Sequence, residues 1–135
     1  MVYTYPVCFY PYTENGGGYL AVFPDLPGCS TGGKTLEEAI YMADDAACGW
    51  LFSSIEDGET LPIPTDIKNV AADEYPDGFV NIMRLDVDEF VRKTSPKATH
   101  KNCTVPVWLS NIADKKGINF SYALCEGLKQ QLGLN

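Results

Sequence analysis

The chain opens on a strand-like pattern. Residues 2–12, VYTYPVCFYPY, are rich in aromatic and β-branched residues, the types that suit a pleated, half-buried surface. Pro6 and Pro11 lack an amide donor, so each must fall at an edge, a bulge or a strand end. Glu14-Asn15-Gly16-Gly17-Gly18 reads as a hairpin connection, because asparagine and glycine tolerate positive φ. Residues 19–23 return as a second strand, 24–28 turn the chain, and 29–33 form a short third strand. The period then changes from two to 3.6. Leu36, Ala39, Ile40, Ala43, Ala47, Trp50 and Leu51 make one apolar stripe of a helix. Thr35 with Glu38 three residues on predicts a capping box at its start, and Asp57-Gly58 predicts its end.

Residues 59–77 carry Pro62, Pro64 and Pro76 and read as a loop. Residues 79–87, FVNIMRLDV, alternate as a strand with two fairly apolar faces, which predicts a central strand covered by the helix. A short helical or turn segment follows at 88–93, then a linker at 94–100 containing Ser95, Pro96 and Lys97. The tail has its own order. A strand at 102–105 is stopped by Pro106, and a helix presents Trp108, Leu109 and Ile112. Gly117-Ile118-Asn119 breaks it, and a second helix over 120–132 carries Phe120, Leu124, Leu128 and Leu132.

Charge divides the chain in the same place. Residues 1–93 hold 16 acids and 5 bases, a net −11; residues 94–135 hold five lysines against two acids, a net +3, with His100 in addition. An acidic body with a mildly basic tail points to two partners of opposite charge. The five cysteines are odd in number and widely spread, which fits neither a disulfide framework nor a zinc cluster. No apolar run approaches a membrane span, and the first residues lack a basic leader pattern, so a cytoplasmic protein is expected.

The stretch FPDLPGCSTGGKTLEEA, residues 23–39, has the residue types of an active site, with Asp25 and Cys29 as a possible pair. The chemistry argues otherwise. A cysteine nucleophile needs a base, and the single histidine, His100, lies beyond the linker. A nearby carboxylate raises a thiol pKa instead of lowering it. Asp25 and Asp86 are the remaining candidates for a Mg²⁺ pair, but isolated carboxylates are common on solvated faces. The better reading is a tight turn aiming the chain at a capped helix. No catalytic residue, metal site or cofactor is expected.

Gly18-Tyr19, Phe23-Pro24-Asp25-Leu26-Pro27-Gly28-Cys29, Thr35-Leu36-Glu37-Glu38-Ala39, Asp57-Gly58-Glu59 with Leu61-Pro62, and Leu85-Asp86-Val87-Asp88 together resemble the N-terminal domain of HicB-type antitoxins. That resemblance implies a partial RNase H-like β-β-β-α-β domain over 1–93 without a working nuclease centre. It also implies a role in binding and masking a small basic ribonuclease toxin, HicA; the toxin-contact residues stay unknown.

One short strand and two helices cannot bury a core alone. Two copies pairing strands antiparallel would bury Cys103, Val105, Trp108, Leu109, Ile112, Leu124 and Leu128 together, and the segment 101–135 is similar to a ribbon-helix-helix module. Asn102 and Thr104 then face outward on the ribbon, with His100 and Lys101 near its start, where a two-stranded ribbon meets base edges in the major groove. Asn119 and Ser121 open the second helix, whose free amides suit a phosphate. A helix-turn-helix tail would move the reading residues to the second helix. The resulting expectation is an α+β antitoxin that binds its toxin, its operator DNA and itself, as a dimer or tetramer. Two rivals stay open: a metal-dependent nuclease retaining RNase H-like activity, and an orphan transcriptional repressor without a toxin.

Overall fold

A computed structural model of the chain describes residues 1–94 and 98–134. Ser95, Pro96 and Lys97 of the expected linker lie outside the described residues. The chain divides into two units, Met1–Lys97 and Ala98–Asn135.

The first unit is an α+β body. Its strands β1 (Val2–Tyr12), β2 (Gly18–Val22), β3 (Ser30–Gly33) and β4 (Phe79–Asp86) form one antiparallel sheet in the order β3-β2-β1-β4. Helix α1 (Leu36–Glu56) packs on it, and α2 (Val87–Thr94) continues from β4. Strand β1 lies inside the sheet, yet its prolines obey the rule that governs edges. Pro6 pairs with Ile82 of β4 where β2 has already ended, and Pro11 pairs with Tyr19 of β2 beyond the end of β4. Each proline therefore sits where β1 has a neighbour on one side only. In the β1–β2 connection Asn15, Gly16 and Gly17 take positive φ, as the hairpin reading requires.

Alternation along β1 sorts the core. Tyr5, Val7 and Phe9 join Ala39, Ala43, Ala47 and Leu51 of α1, with Phe23, Leu26 and Leu85 closing the cluster. Three alanines on the helix face bring the helix axis close to the sheet. Gly33 has the same effect at the sheet end: a Cβ there would lie 2.5 Å from the Ala39 amide nitrogen. The predicted stripe holds at Ala39, Ala43, Ala47 and Leu51, but Ile40 is exposed and Cys48 is buried in its place. Thr35 caps α1 by accepting from the Glu38 amide at 3.1 Å. The reciprocal half of the box is displaced by one residue, since Glu38 Oε2 accepts from the Lys34 amide at 3.3 Å.

Two expectations change. Strand β4 is an edge strand, not a central one. Met83 and Leu85 face the core while Ile82 stays 49% exposed, and the free Ile82 amide donates to the Asn81 side chain at 2.8 Å. Apolar residues on both faces of a strand do not say how many strands flank it. The segment 59–77, read as a loop, also serves as cover. Pro6, Cys8 and Tyr10 alternate away from the core cluster, and all three are buried. The Glu74 amide donates to Tyr10 Oη at 3.4 Å, and Gly78 lies against the Tyr10 ring.

The second unit holds α3 (Val107–Lys115) and α4 (Phe120–Leu132), joined through Gly117 at positive φ. Residues 101–106 form no ladder within the single chain. Among the described residues of this unit none is buried: Trp108 is 64% exposed, and Leu109, Ile112, Leu124 and Leu128 are exposed with it.

Candidate interaction surfaces

The turn at 23–29 is a closed structural device. The Phe23 amide donates to Cys29 O at 3.1 Å, Leu26 N to Phe23 O at 3.2 Å, and Cys29 N to Leu26 O at 2.9 Å. Gly28 supplies the left-handed residue, with φ 78°. Trp50 of α1 donates its indole N–H to Pro27 O at 3.0 Å and so clamps the turn to the helix. Asp25 accepts from Thr65 twice, from the amide at 2.9 Å and the hydroxyl at 2.5 Å, and ties down the long segment after α1. Burial of Cys29 pushes its thiol up to about 11. Cys48, also buried and beside Asp44, is pushed up to about 12. Thiols held protonated in this way are poor nucleophiles at neutral pH.

Asp25 and Asp86 have separate tasks. Asp86 Oδ1 accepts from the Glu89 amide at 3.1 Å and caps α2. Asp86 also lines a cleft of about 430 Å³ with Asp44, Asp45 and Glu89, where Arg84 and Lys93 supply the opposite charge; Lys93 pairs with Glu89 at 3.0 Å. Among the described residues no group of three or more histidine, cysteine, aspartate or glutamate side chains could share a metal ion.

The tail residues fall into two groups. His100, Lys101, Asn102 and Thr104 are exposed in the segment before α3. Asn119 and Ser121 stand at the start of α4, where Asn119 is the N-cap and accepts from the Tyr122 amide at 3.0 Å. Its carboxamide oxygen therefore already occupies one of the helix-start amides, leaving the others and Ser121 for a ligand.

A further surface escaped the sequence reading. A groove of about 490 Å³ lies between the start of the β1–β2 connection and residues 75–77. Tyr10, Tyr12 and Leu20 supply side chains from one face of the sheet, and Tyr75, Pro76 and Asp77 form a wall. Tyr12 lies over Gly18, and Tyr10 meets Tyr75 edge-on at 5.4 Å. The tyrosines were legible as strand and loop residues, but nothing in a linear pattern joins position 12 to position 75.

An acidic α+β body followed by a helical unit without a core of its own defines the class, an interaction protein. Residues 5–120 match the family model described as the HicB-like antitoxin of bacterial toxin-antitoxin systems, and the chain belongs to that family. It is 32% identical over 112 residues to an uncharacterised 14.9 kDa protein of Haemophilus phage HP1, covering 82% of this chain and 79% of the phage protein. It is 45% identical over 60 residues to antitoxin HicB 1 of Photorhabdus laumondii, covering 44% of this chain but 37% of that antitoxin. A chain of the toxin-antitoxin complex from Streptococcus pneumoniae superposes with a TM-score of 0.62 at 26% identity, covering 97% of this chain and 99% of that one. Among the described residues no helix is long and apolar enough to cross a membrane.

Proposed function

We propose that the first unit binds and occludes a HicA-like, mRNA-cleaving ribonuclease toxin, and that paired second units bind the operator of the same operon. One observation carries the division of labour. Residues 1–93 have their own buried core and a net charge of −11, whereas residues 94–135 carry a net charge of +3 and none of the described residues among them is buried. The acidic body attracts a cationic enzyme and speeds its capture. The exposed Leu109, Ile112, Leu124 and Leu128 need a second tail to cover them. A ribbon-helix-helix pairing supplies that cover and gives residues 102–105 the ladder partner they lack within one chain. His100, Lys101, Asn102 and Thr104 then meet the DNA groove, and Asn119 and Ser121 a phosphate. The β-β-β-α-β succession supports a partial RNase H-like body, and inhibition by covering the toxin requires no cofactor and no catalysis.

Co-expression with the neighbouring reading frame, followed by pull-down and operator gel shift, tests this. The whole chain captures a small basic protein and shifts the operator. A chain ending at Thr94 still captures the toxin and no longer shifts DNA. Changing Asn102 and Thr104 to Ala weakens specific DNA binding by about 1–3 kcal/mol per lost base contact and leaves neutralisation intact. Equal loss of both activities contradicts the division.

A further inference from the structure

The tyrosine groove differs from the acidic cleft in one decisive respect. The cleft contains cations of its own, Arg84 and Lys93, and Lys93 pairs with Glu89. Among the described residues, the groove is lined by Glu14 and Asp77 and by no lysine, arginine or histidine. Its aromatic surface is open: Tyr12 is 41% and Tyr75 50% exposed, while Tyr10 forms the buried floor. The site is also built into the fold. A Cβ on Gly78 would stand 2.5 Å from the Tyr10 ring, and one on Gly18 would stand 2.6 Å from the Tyr12 hydroxyl, so two glycines make room for the two rings. Asn15 and Asp77, the non-glycine residues with positive φ among the described residues, both line it, at φ 53° and 62°.

Resting on the toxin-binding reading above, we propose that this groove is a subsite for one arginine side chain of the toxin. A planar guanidinium stacks on tyrosine faces and donates to carboxylates in a fixed fork, so it uses both parts of the lining at once. An ammonium would use the charge but not the stacking plane. An aliphatic side chain would fill the groove and leave Glu14 and Asp77 without partners.

The tyrosine ring resonances of the whole protein, followed by NMR at low salt, decide it. Nα-acetyl-arginine methylamide is titrated against the isosteric, uncharged citrulline compound. Tyr12 and Tyr75 shift saturably with arginine and at least fivefold more weakly with citrulline. Glu14→Gln and Asp77→Asn, each keeping shape, reduce arginine binding at least fivefold, and asparagine tolerates the left-handed backbone at 77. Together they weaken capture of the co-expressed toxin at least tenfold with an unchanged circular dichroism spectrum. Equal shifts by citrulline, or no saturable shift, overturn the subsite. Full-strength toxin capture by the double variant overturns it while the antitoxin reading stands. Failure of the unaltered protein to capture any toxin overturns that reading instead, and the toxin assignment of the groove with it.

Discussion

Burial gives individual residues behaviour that composition conceals. Five cysteines look equivalent in the chain, but Cys8, Cys29 and Cys48 are buried while Cys103 and Cys125 are exposed. The Cys29 thiol is raised by burial to about 11, and the Cys48 thiol to about 12 by burial and Asp44. An ordinary thiol ionises near 9. Between pH 9 and 11 the unfolded chain therefore releases protons that the folded body retains, and stability falls as pH rises. Below pH 9 this contribution is fully present. Urea midpoints measured from pH 8 to 10.5 should decline, and a Cys29→Ala, Cys48→Ala variant should show a shallower decline whatever its absolute stability. Iodoacetamide at pH 8 should label Cys103 and Cys125 first. Asp25 teaches the same lesson with the opposite polarity: a residue that looks chemical in its sequence setting is engaged by Thr65.

At the scale of elements, α1 was the most legible part of the chain. Its cap at Thr35, its alanine stripe and its end near Asp57 follow from local chemistry and a 3.6-residue period. The displaced Glu38 contact and the burial of Cys48 in place of Ile40 depend on how the helix lies across the sheet. Gly33 measures the closeness of that approach. Gly33→Ala should cost about 1–3 kcal/mol as overpacking, because the two nearest clashing atoms belong to the backbone of α1 and cannot rotate away. Chemical denaturation would show it. Gly58→Ala separates this effect from backbone strain, since a Cβ at 58, where φ is 72°, meets nothing within 4 Å. Strand β4 lies at the edge despite its two apolar faces for a comparable reason: hydrophobic alternation reports faces, while strand neighbours are decided by pairing between distant segments.

At the scale of the whole molecule, a body with a buried core is followed by a tail in which no described residue is buried, and the proposed pairing of tails can be tested directly. On the proposed pairing, Leu128→Glu should yield monomers in size-exclusion chromatography, lower the helicity of the tail and abolish the proposed operator shift. The body should keep its cooperative unfolding and the toxin capture proposed for it. A wild-type chain that is monomeric at high concentration, with the tail fully helical, would contradict the pairing. On the proposed division of labour, raising the salt concentration should slow toxin capture and weaken operator binding together, since the proposal has both draw on screened charge.

Local order belonged to the sequence alone: the strand succession, the capped helix, the proline positions, the charge division, and the family motifs from Gly18 to Asp88. These are short-range properties, set by φ preferences, side-chain periodicity and the count of charges. Tertiary structure decided what required distant residues to meet. It put β4 at the edge, laid residues 72–78 over Tyr10, spent Asp25 on Thr65, and brought Tyr12 and Tyr75 to one groove. Such meetings depend on the packing of whole elements against one another, and no periodicity along a single chain encodes them in readable form.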